Sequence, residues 1–202
     1  MSFENIKPTK LKILIVSSDL FSQKGYENTT LDEIAFLVGI KKASIFNHFS
    51  SKRSILDELY KLYETERHKL LPDLNKLLEL VETEPPLNVL EKTTYNFPSN
   101  LEPFMNCIVS TAAHMMATDI ESQKFILKNV LNAPDEHVKP LLYKMIELNR
   151  IEKFDVEMFC EIVRDYCFVR VAYIATPLSI DKITSKEKLC FLFKNYVKPI
   201  KK

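Results

Sequence analysis

Apolar residues along this chain recur mostly at intervals of three and four, which is the spacing of one face of an α-helix. Stretches that alternate between apolar and polar residues, as strands do, are rare, and prolines separate one periodic stretch from the next. Besides the region 25–51, helices are predicted over about 10–24, 52–72, 73–82, 102–118, 120–132, 135–150, 155–175 and 185–197. The pattern therefore predicts an all-α fold.

Two short helices joined by a glycine turn are predicted between Gly25 and Phe49. The chain holds two glycines, Gly25 and Gly39, and each follows an apolar helical pattern, where a residue with positive φ commonly ends a helix. Between them, Thr30 and Glu33 have the spacing of a capping box and mark the start of the first short helix. The second short helix runs from Gly39 to about Phe49. Such a pair is a candidate helix-turn-helix, whose second helix enters a DNA groove.

The second short helix is predicted to turn small, polar and basic side chains outward. Ile45 and Phe49 lie four residues apart and share a buried face with Ile40. The residues left outside, or at the amino-terminal end, are Lys41, Lys42, Ala43, Ser44, Asn47 and His48. Such a face suits the major groove of DNA, whereas a merely solvated face in this chain would more often carry Glu–Lys pairs.

A longer helix is predicted after Ser51, its N-cap, with Lys52 and Arg53 in the first turn. Two cations are unfavourable at the positive end of a helix dipole, but a phosphate bound there would reverse the effect. The alternative interpretation is a pair of solvated basic residues at a surface turn.

Charge is unevenly distributed over the 202 residues, whose formal net charge is +1. Residues 1–56 hold eight Lys/Arg and five Asp/Glu, a net charge of +3, and the remainder carries −2. A basic amino-terminal region fits contact with DNA. The four cysteines match neither zinc nor disulfide spacing, and no signal peptide or membrane-spanning stretch is found. We therefore expect a cytoplasmic protein with reduced thiols.

Residues 25–52 resemble the DNA-binding head of TetR-family transcriptional repressors. The matching residues are Gly25-Tyr26, Thr29-Thr30, Ile34-Ala35, Gly39, Ala43-Ser44-Ile45-Phe46, His48-Phe49 and Ser51-Lys52. The match covers about the first quarter of the chain, and only the helical character of the remainder can be compared. The resemblance implies a three-helix DNA-binding head over residues 1–56 and a larger helical ligand-binding and dimerisation body over residues 57–202.

The same resemblance implies which residues contact DNA. The phosphate contacts it implies are Thr30, His48 and Lys52, and the base-edge or groove contacts are Lys41, Lys42, Ser44 and Asn47. Phe46 belongs to this DNA-binding surface but stands where the family usually has tyrosine, so a phosphate-binding hydroxyl is absent. Lys41 replaces the usual Ser or Thr cap, and Ala43 replaces a common glycine. These departures leave the operator sequence undecided.

The resemblance further implies a ligand cavity in the body, and large flexible apolar side chains there suit an apolar effector. The candidate ligand-binding residues are Phe104, Cys107, Ile108, His114, Met115, Phe125, Met145, Arg164 and Tyr166. The alternative for each of them is a structural role, and for the apolar ones it is core packing. Cys107 and His114 are seven residues apart, and two such residues without further ligands do not predict a metal site.

The last two predicted helices carry more apolar surface than the body of one protomer covers. We therefore expect a homodimer formed through these two helices, and the resemblance implies a four-helix bundle between the protomers. A two-fold dimer presents paired heads to successive turns of the major groove, which predicts a pseudo-palindromic operator on double-stranded DNA.

These features predict a homodimeric regulator, most simply a repressor, whose affinity for operator DNA is changed by a small apolar ligand. No grouped nucleophile, acid and base, no phosphate-binding glycine loop and no metal motif is found, so neither catalysis, a cofactor nor a membrane partner is predicted. Two alternatives stay open. One is a helical small-molecule-binding or interaction protein with a non-functional DNA head. The other is an all-helical enzyme that uses His114.

Overall fold

The computed structural model describes residues 6–94, 97–176 and 185–200. Their α-helices are α1 Pro8–Lys24, α2 Leu31–Val38, α3 Lys42–Ile45, α4 Lys52–Leu70, α5 Leu74–Thr83, α6 Pro86–Glu91, α7 Glu102–Met115, α8 Ile120–Ile126, α9 Lys139–Glu147, α10 Val156–Ala175 and α11 Ser185–Tyr196. Two π-helical segments, Leu127–Leu131 and Pro134–Val138, lie between α8 and α9. The only β pairing among the described residues is one isolated bridge between Ile151 and Pro199. The predicted all-α fold is confirmed.

Two compact units divide the described part of the chain. The first contains residues 6–67, 97–126 and 171–176, and the second contains residues 68–94, 127–170 and 185–200. Residues 6–56 therefore share a compact unit with α7 and α8, which are distant in sequence. The division of the chain into a head and a body at residues 56 and 57 stays a prediction.

The first unit is built around α1, which packs against both α2 and α7, while α7 packs against α8. Ile13, Leu14 and Phe21 of α1 are fully buried, and so are Ile34 of α2 and Ile45 at the end of α3. Because these apolar side chains leave water together, their burial fixes α2 against α1 and α3 against α2. The same helix α1 also contacts α7, so the short helices and α7 share a support.

The second unit has an apolar core of its own. Helix α5 packs against α6 and α9, and α11 packs against α6. Leu77, Leu142, Met145, Phe159 and Phe193 are among the buried residues of this core. The rings of Phe159 and Phe193 contact each other with their centroids 6.2 Å apart. Residues from four separate stretches of sequence thus form one core.

Arg150 closes the carboxyl end of α5 within the second unit. Its guanidinium donates hydrogen bonds to the carbonyl oxygens of Val81, Glu82 and Glu84. The last carbonyls of a helix have no partner inside the helix, so a guanidinium with several donors can satisfy them together. Arg150 is thereby a structural cap.

Four helices differ from those that the apolar pattern predicts. The helix expected to reach Phe49 ends at Ile45 and continues as a hydrogen-bonded turn. The helices expected over 120–132 and 135–150 each contain a π-helical segment, which apolar spacing alone does not distinguish from an α-helix. Helix α6 was not predicted, because the proline pair at 85–86 resembles a break. Proline is well suited to the first turn of a helix, and Pro86 occupies that position.

Candidate nucleic-acid interface

Local hydrogen bonds fix both ends of α2. The side-chain oxygen of Thr30 accepts a hydrogen bond from the Glu33 amide at 3.2 Å, as the predicted N-cap requires. The Glu33 carboxylate binds Lys24 Nζ at 2.7 Å rather than the Thr30 amide, so only half of the predicted capping box is formed. At the other end, Gly39 has a φ of 80°, and its amide donates to the Ala35 carbonyl at 3.0 Å. The turn between the short helices therefore has the left-handed glycine that the sequence predicts.

Residues 41–48 form the α3 segment, which contains α3 and the turn that follows it. The Phe49 amide donates to the Ile45 carbonyl at 2.9 Å and closes this turn. Ile45 and Phe49 are buried, which confirms the buried face predicted for them. The exposed residues of the segment are Lys41, Lys42, Ala43, Phe46 and Asn47, while Ser44 and His48 are half-buried.

The side chains of the two lysines in the α3 segment form few hydrogen bonds or ion pairs within the protein. Lys42 Nζ forms an ion pair with Asp32 at 2.7 Å, and both side chains are well exposed. The Lys41 carbonyl accepts a hydrogen bond from the Ser44 amide at 2.8 Å, but the Lys41 side chain forms neither a hydrogen bond nor an ion pair within the described ranges. An exposed ion pair contributes little free energy in water and is easily replaced by a different one. Both ammonium groups can therefore bind an anion from outside the protein at a small cost in free energy.

Residues 51–60 form the α4 start, where Ser51 and Ser54 cap the helix reciprocally. The Ser54 amide donates to Ser51 Oγ at 3.1 Å, and the Ser51 amide donates to Ser54 Oγ at 3.1 Å. The N-cap role predicted for Ser51 is confirmed. The contribution of Ser54 was not predicted, although a hydroxyl three residues after a serine cap is a recognisable signal.

Lys52 of the α4 start binds the loop between α1 and α2. Its Nζ donates to the carbonyl oxygens of Tyr26 at 2.6 Å, Thr29 at 3.0 Å and Glu27 at 3.4 Å. The ammonium group also lies 4.3 Å from the centroid of the Tyr26 ring. An ammonium has three donors, and these carbonyls engage all of them. The phosphate contact implied for Lys52 stays a prediction, and the structure shows that this side chain also links α4 to the loop before α2.

Arg53 connects α4 to the beginning of α8. Its guanidinium binds Asp57 at 2.8 Å and Asp119 at 2.6 Å. Asp119 in turn accepts hydrogen bonds from the amide and hydroxyl of Ser122, and Ser122 Oγ lies 2.8 Å from the hydroxyl of Tyr60. Because the single Ser122 proton goes to Asp119, the Tyr60 hydroxyl is the donor to Ser122. Sequence alone did not show this network, since its members are about 60 residues apart.

The surroundings of this network change the pKa values of its members. Burial alone would raise the pKa of Asp119, but hydrogen bonds from Ser122 and Arg53 outweigh it and hold the pKa below its ordinary value. Burial raises the pKa of Tyr60 to about 12. At neutral pH, Asp119 is therefore an anion and Tyr60 a neutral donor, which is the arrangement that the hydrogen bonds need.

The candidate ligand-binding residues fall into both compact units. The first unit contains Phe104, Cys107, Ile108, His114, Met115 and Phe125, and the second contains Met145, Arg164 and Tyr166. Ile108, Phe125 and Met145 are buried, whereas His114 is exposed at the end of α7. Arg164 forms an ion pair with Asp135, so its charge has a partner within the protein. Their role in ligand binding stays a prediction.

Phe125 belongs to an aromatic cluster in the first unit. Its ring stacks on Tyr60 with centroids 4.3 Å apart and meets Tyr63 edge-on at 5.1 Å. Tyr63 also meets Phe97 edge-on at 5.3 Å. This cluster packs one face of α4 against α8 and the residues before α7.

Two classes of feature are not found in residues 6–94, 97–176 and 185–200. None of the helices in these ranges is both long and apolar enough to cross a membrane. In the same ranges, no three His, Cys, Asp or Glu side chains are grouped so that they could hold a metal ion.

Helix α2, the turn at Gly39 and α3, packed on α1, define a helix-turn-helix protein of the all-α class. Residues 13–59 match the family model described as bacterial regulatory proteins, tetR family. Over these residues, which are about a quarter of the chain, the protein is similar to TetR-family regulators. The match contains α2, α3 and residues 51–59 of the α4 start, which are the elements of the candidate interface.

Curated relatives match the same region. The biofilm operon icaADBC HTH-type negative transcriptional regulator IcaR of Staphylococcus aureus (strain Newman) is 54% identical over 52 residues, which are 26% of this chain and 28% of that protein. The protein of the same name from Staphylococcus epidermidis is 50% identical over 46 residues, 23% of this chain and 25% of that protein. The match therefore spans only about a quarter of the length of these relatives.

Solved structures resemble the chain over nearly its whole length. The TetR-family regulator PfmR from Thermus thermophilus has a TM-score of 0.62 at 20% identity, covering 91% of this chain and 94% of that one. The ketosteroid transcriptional regulator KstR2 of Mycobacterium tuberculosis has a TM-score of 0.59 at 16% identity, covering 96% and 97%. At such identities the likeness establishes the fold.

Proposed function

We propose that this protein is a DNA-binding transcriptional regulator that acts as a repressor in the cytoplasm and binds operator DNA through the α3 segment. The observation that best supports the proposal is the arrangement of buried and exposed side chains in the α3 segment. Ile45 and Phe49 hold it in place, while Lys41, Phe46 and Asn47 are exposed on its outer side. The match of residues 13–59 to a family of regulatory proteins, and their likeness to negative transcriptional regulators, support repression rather than catalysis.

In this proposal the exposed side chains make different kinds of contact with DNA. Lys41, Lys42, Ser44 and Asn47 contact base edges or the groove. A side-chain amide such as that of Asn47 can form two hydrogen bonds with adenine, which gives sequence preference. Thr30 and His48 contact phosphates beside the groove, and such contacts set position without reading sequence. Phe46, whose side chain is 52% exposed, supplies an apolar contact in place of a hydroxyl.

We propose that Lys52 supports DNA binding by holding the loop before α2 in place. Its bonds to the Tyr26 and Thr29 carbonyls hold the loop that leads into Thr30, the N-cap of α2. A lysine so placed keeps the amino end of α2 available for a phosphate while remaining bonded to the protein. We therefore expect that replacing Lys52 would disturb the structure of the head more than it would weaken a phosphate contact.

The proposed dimer forms through α10 and α11. Large apolar side chains are exposed on both helices: Met158, Phe168, Val169 and Tyr173 on α10, and Phe191 and Tyr196 on α11. Phe191 is 66% exposed, an unusual state for so large an apolar group. Pairing of two protomers over these helices would cover them and would place two heads at the half-sites of a pseudo-palindromic operator.

The proposed effector acts through the first unit. Candidate ligand-binding residues on α7 and α8 belong to helices that bear directly on the head. Helix α7 packs on α1, and Asp119 at the beginning of α8 binds Arg53 of the α4 start. A ligand that shifts α7 or α8 would therefore change the support of the α3 segment. Such coupling is reciprocal, so operator DNA must change ligand affinity by the same factor.

The proposal is tested by a mobility shift with the DNA upstream of the protein's own gene, at several salt concentrations. We expect a specific complex whose affinity falls steeply with salt, because lysines displace counterions from phosphates. Native mass spectrometry of the same sample should report a dimer and any small molecule that copurifies. If this and other tested promoters show no specific complex at low salt, the protein is not the regulator proposed here.

A further inference from the structure

Arg67 is a buried arginine whose charge has no partner among the described residues. It lies near the carboxyl end of α4, and its side chain is 2% exposed. Its Nε and Nη2 atoms are both buried, and in the described part of the chain neither has a hydrogen-bond partner. Within the same ranges no carboxylate forms an ion pair with it. A guanidinium carries five N–H donors, and the donors of Nε and Nη2 in Arg67 are not used by any of the described residues.

Other arginines in the chain show how such a charge is ordinarily accommodated. Arg53 binds two carboxylates, Arg164 binds Asp135, and Arg150 donates to three carbonyl oxygens. A buried charge with no counterpart lowers the stability of the folded state unless something compensates it. Arg67 therefore differs from these three, because its Nε and Nη2 donors are not used by any of the described residues.

The two atoms without partners have a particular relation to each other. The N–H groups of Nε and Nη2 lie side by side on one edge of the planar guanidinium and point in the same direction. This edge matches the two oxygens of a carboxylate and forms a pair of parallel hydrogen bonds with it. We propose that Arg67 is a binding site for the carboxylate of a small organic anion, which is the effector of this protein.

The surroundings on α4 indicate what the rest of that ligand is like. Tyr63 lies one helical turn before Arg67 on the same face, and Tyr60 lies one turn further. Their rings belong to the aromatic cluster with Phe97 and Phe125. A single guanidinium neutralises a single negative charge, so a monoanion fits better than a doubly charged phosphate. The ligand class is a monocarboxylate with an apolar or aromatic body.

As the site of an effector, Arg67 rests on the proposed regulatory function, but the binding step itself needs no DNA. The test uses the full-length protein and two probes, octanoate and 3-phenylpropionate, measured by calorimetry. Octanamide and 3-phenylpropanamide are the neutral counterparts with the same apolar bodies. We expect each carboxylate to bind at least about tenfold more tightly than its amide, because the charged pair of hydrogen bonds is present only with the carboxylate.

Two substitutions show whether this preference comes from the fork of donors. Arg67→Met removes the charge and keeps an apolar side chain, and Arg67→Lys keeps the charge without the fork. We expect Arg67→Met to abolish the preference for carboxylate and to raise the melting temperature of the ligand-free protein, since an uncompensated charge is lost. Arg67→Lys should weaken carboxylate binding severalfold. Arg150→Met is the matched control, which should lower the melting temperature and keep the preference.

Either of two results overturns the proposal. One is that neither carboxylate binds more tightly than its amide to the wild-type protein. The other is that Arg67→Met lowers the melting temperature as Arg150→Met does, which would make Arg67 a structural residue. The mobility shift without any ligand is measured separately on the same preparations. A specific complex there with no carboxylate binding removes this site alone, and carboxylate binding without any DNA complex removes the regulatory function alone.

Discussion

The α3 segment and the α4 start are neighbours in sequence and both are basic, yet they use their cations differently. In the α3 segment, Lys41 and Asn47 are exposed, and Lys42 has only an exposed ion pair. In the α4 start, Lys52 binds backbone carbonyls, and Arg53 binds two carboxylates. Basic residues next to this helix-turn-helix therefore divide into exposed ones, which we propose contact DNA, and ones that are bonded within the protein.

The largest expected effect is a loss of stability on replacing Lys52, which would distinguish the α4 start from the α3 segment. Lys52→Ala removes charge-assisted hydrogen bonds to the Tyr26 and Thr29 carbonyls and the contact with the Tyr26 ring. We expect the free energy of unfolding to fall by about 3 kcal/mol, measured by urea denaturation.

Lys41→Ala is the control for Lys52→Ala. Lys41 is exposed, so its loss should change the stability by less than about 0.5 kcal/mol. Its effect should instead appear in DNA binding, as a loss of affinity for the operator and a shallower salt slope, because a cation at the groove is lost. If Lys52→Ala leaves stability unchanged and only flattens the salt slope, Lys52 belongs with the DNA contacts.

Asn47→Ala should produce the next largest effect, on sequence preference. The exposed amide of Asn47 is in a position to form two hydrogen bonds with one base. Its loss should weaken binding to the operator by about 2 kcal/mol and leave binding to unrelated DNA nearly unchanged. Binding of the variant to a set of operators with single base changes measures this. An equal loss on all sequences would place Asn47 at the phosphates instead.

Asp119→Asn tests the network behind the α4 start through its dependence on pH. The pKa of Asp119 is held below its ordinary value, so its contribution is fully present above pH of about 4 and is lost as the pH falls through the lowered value. We expect the variant to be less stable by about 1 kcal/mol at pH 7 and to lose less stability than the wild type on acidification. Urea denaturation across this pH range measures both.

Glu121→Gln is a matched control for that pH dependence, because Glu121 lies close in sequence but pairs with Lys124 on the exposed surface. Its effect on stability should be near zero. Should Asp119→Asn and Glu121→Gln behave alike between neutral and acid pH, the Arg53–Asp119 pair would have no structural importance.

The smallest expected effect is a gain from Phe46→Tyr. This change returns the hydroxyl that the family usually has at this position, and the side chain is already exposed beside Asn47. We expect binding to tighten by about 0.5–1 kcal/mol on all sequences, since a phosphate contact carries no sequence information. Phe36→Tyr is the control, because Phe36 is 82% exposed on α2, outside the α3 segment. Equal gains in both variants would mean that the hydroxyl acts nonspecifically.

The sequence was sufficient to predict features that depend on close neighbours in the chain. The cap at Thr30, the left-handed Gly39 and the cap at Ser51 each involve residues within four positions of one another. The buried face of Ile45 and Phe49 follows from the helical period in the same way. Such signals are local, because the backbone groups at helix ends must find partners nearby.

Features that depend on tertiary contacts could not be predicted. Lys52 finds its carbonyls more than 20 residues earlier, and Arg53 finds Asp119 66 residues later. The apolar period also does not separate π-helical from α-helical turns, which is why the segments at 127–131 and 134–138 were missed. That Arg67 is buried without a hydrogen-bond partner among the described residues is likewise visible only in the folded chain. Most of these unpredicted features depend on which residue, far away in the sequence, a side chain contacts.

In the proposed mode of DNA binding, two copies of the protein read an inverted repeat through their α3 segments. Its most direct test is selection of bound sequences from a pool of random duplexes, carried out in parallel with the wild type and Asn47→Ala. We expect the wild type to enrich an inverted repeat with half-sites about one helical turn or a multiple apart, and the variant to enrich a repeat altered at the same position of each half-site. Enrichment of no sequence by the wild type, or of the identical repeat by both proteins, would contradict the claim.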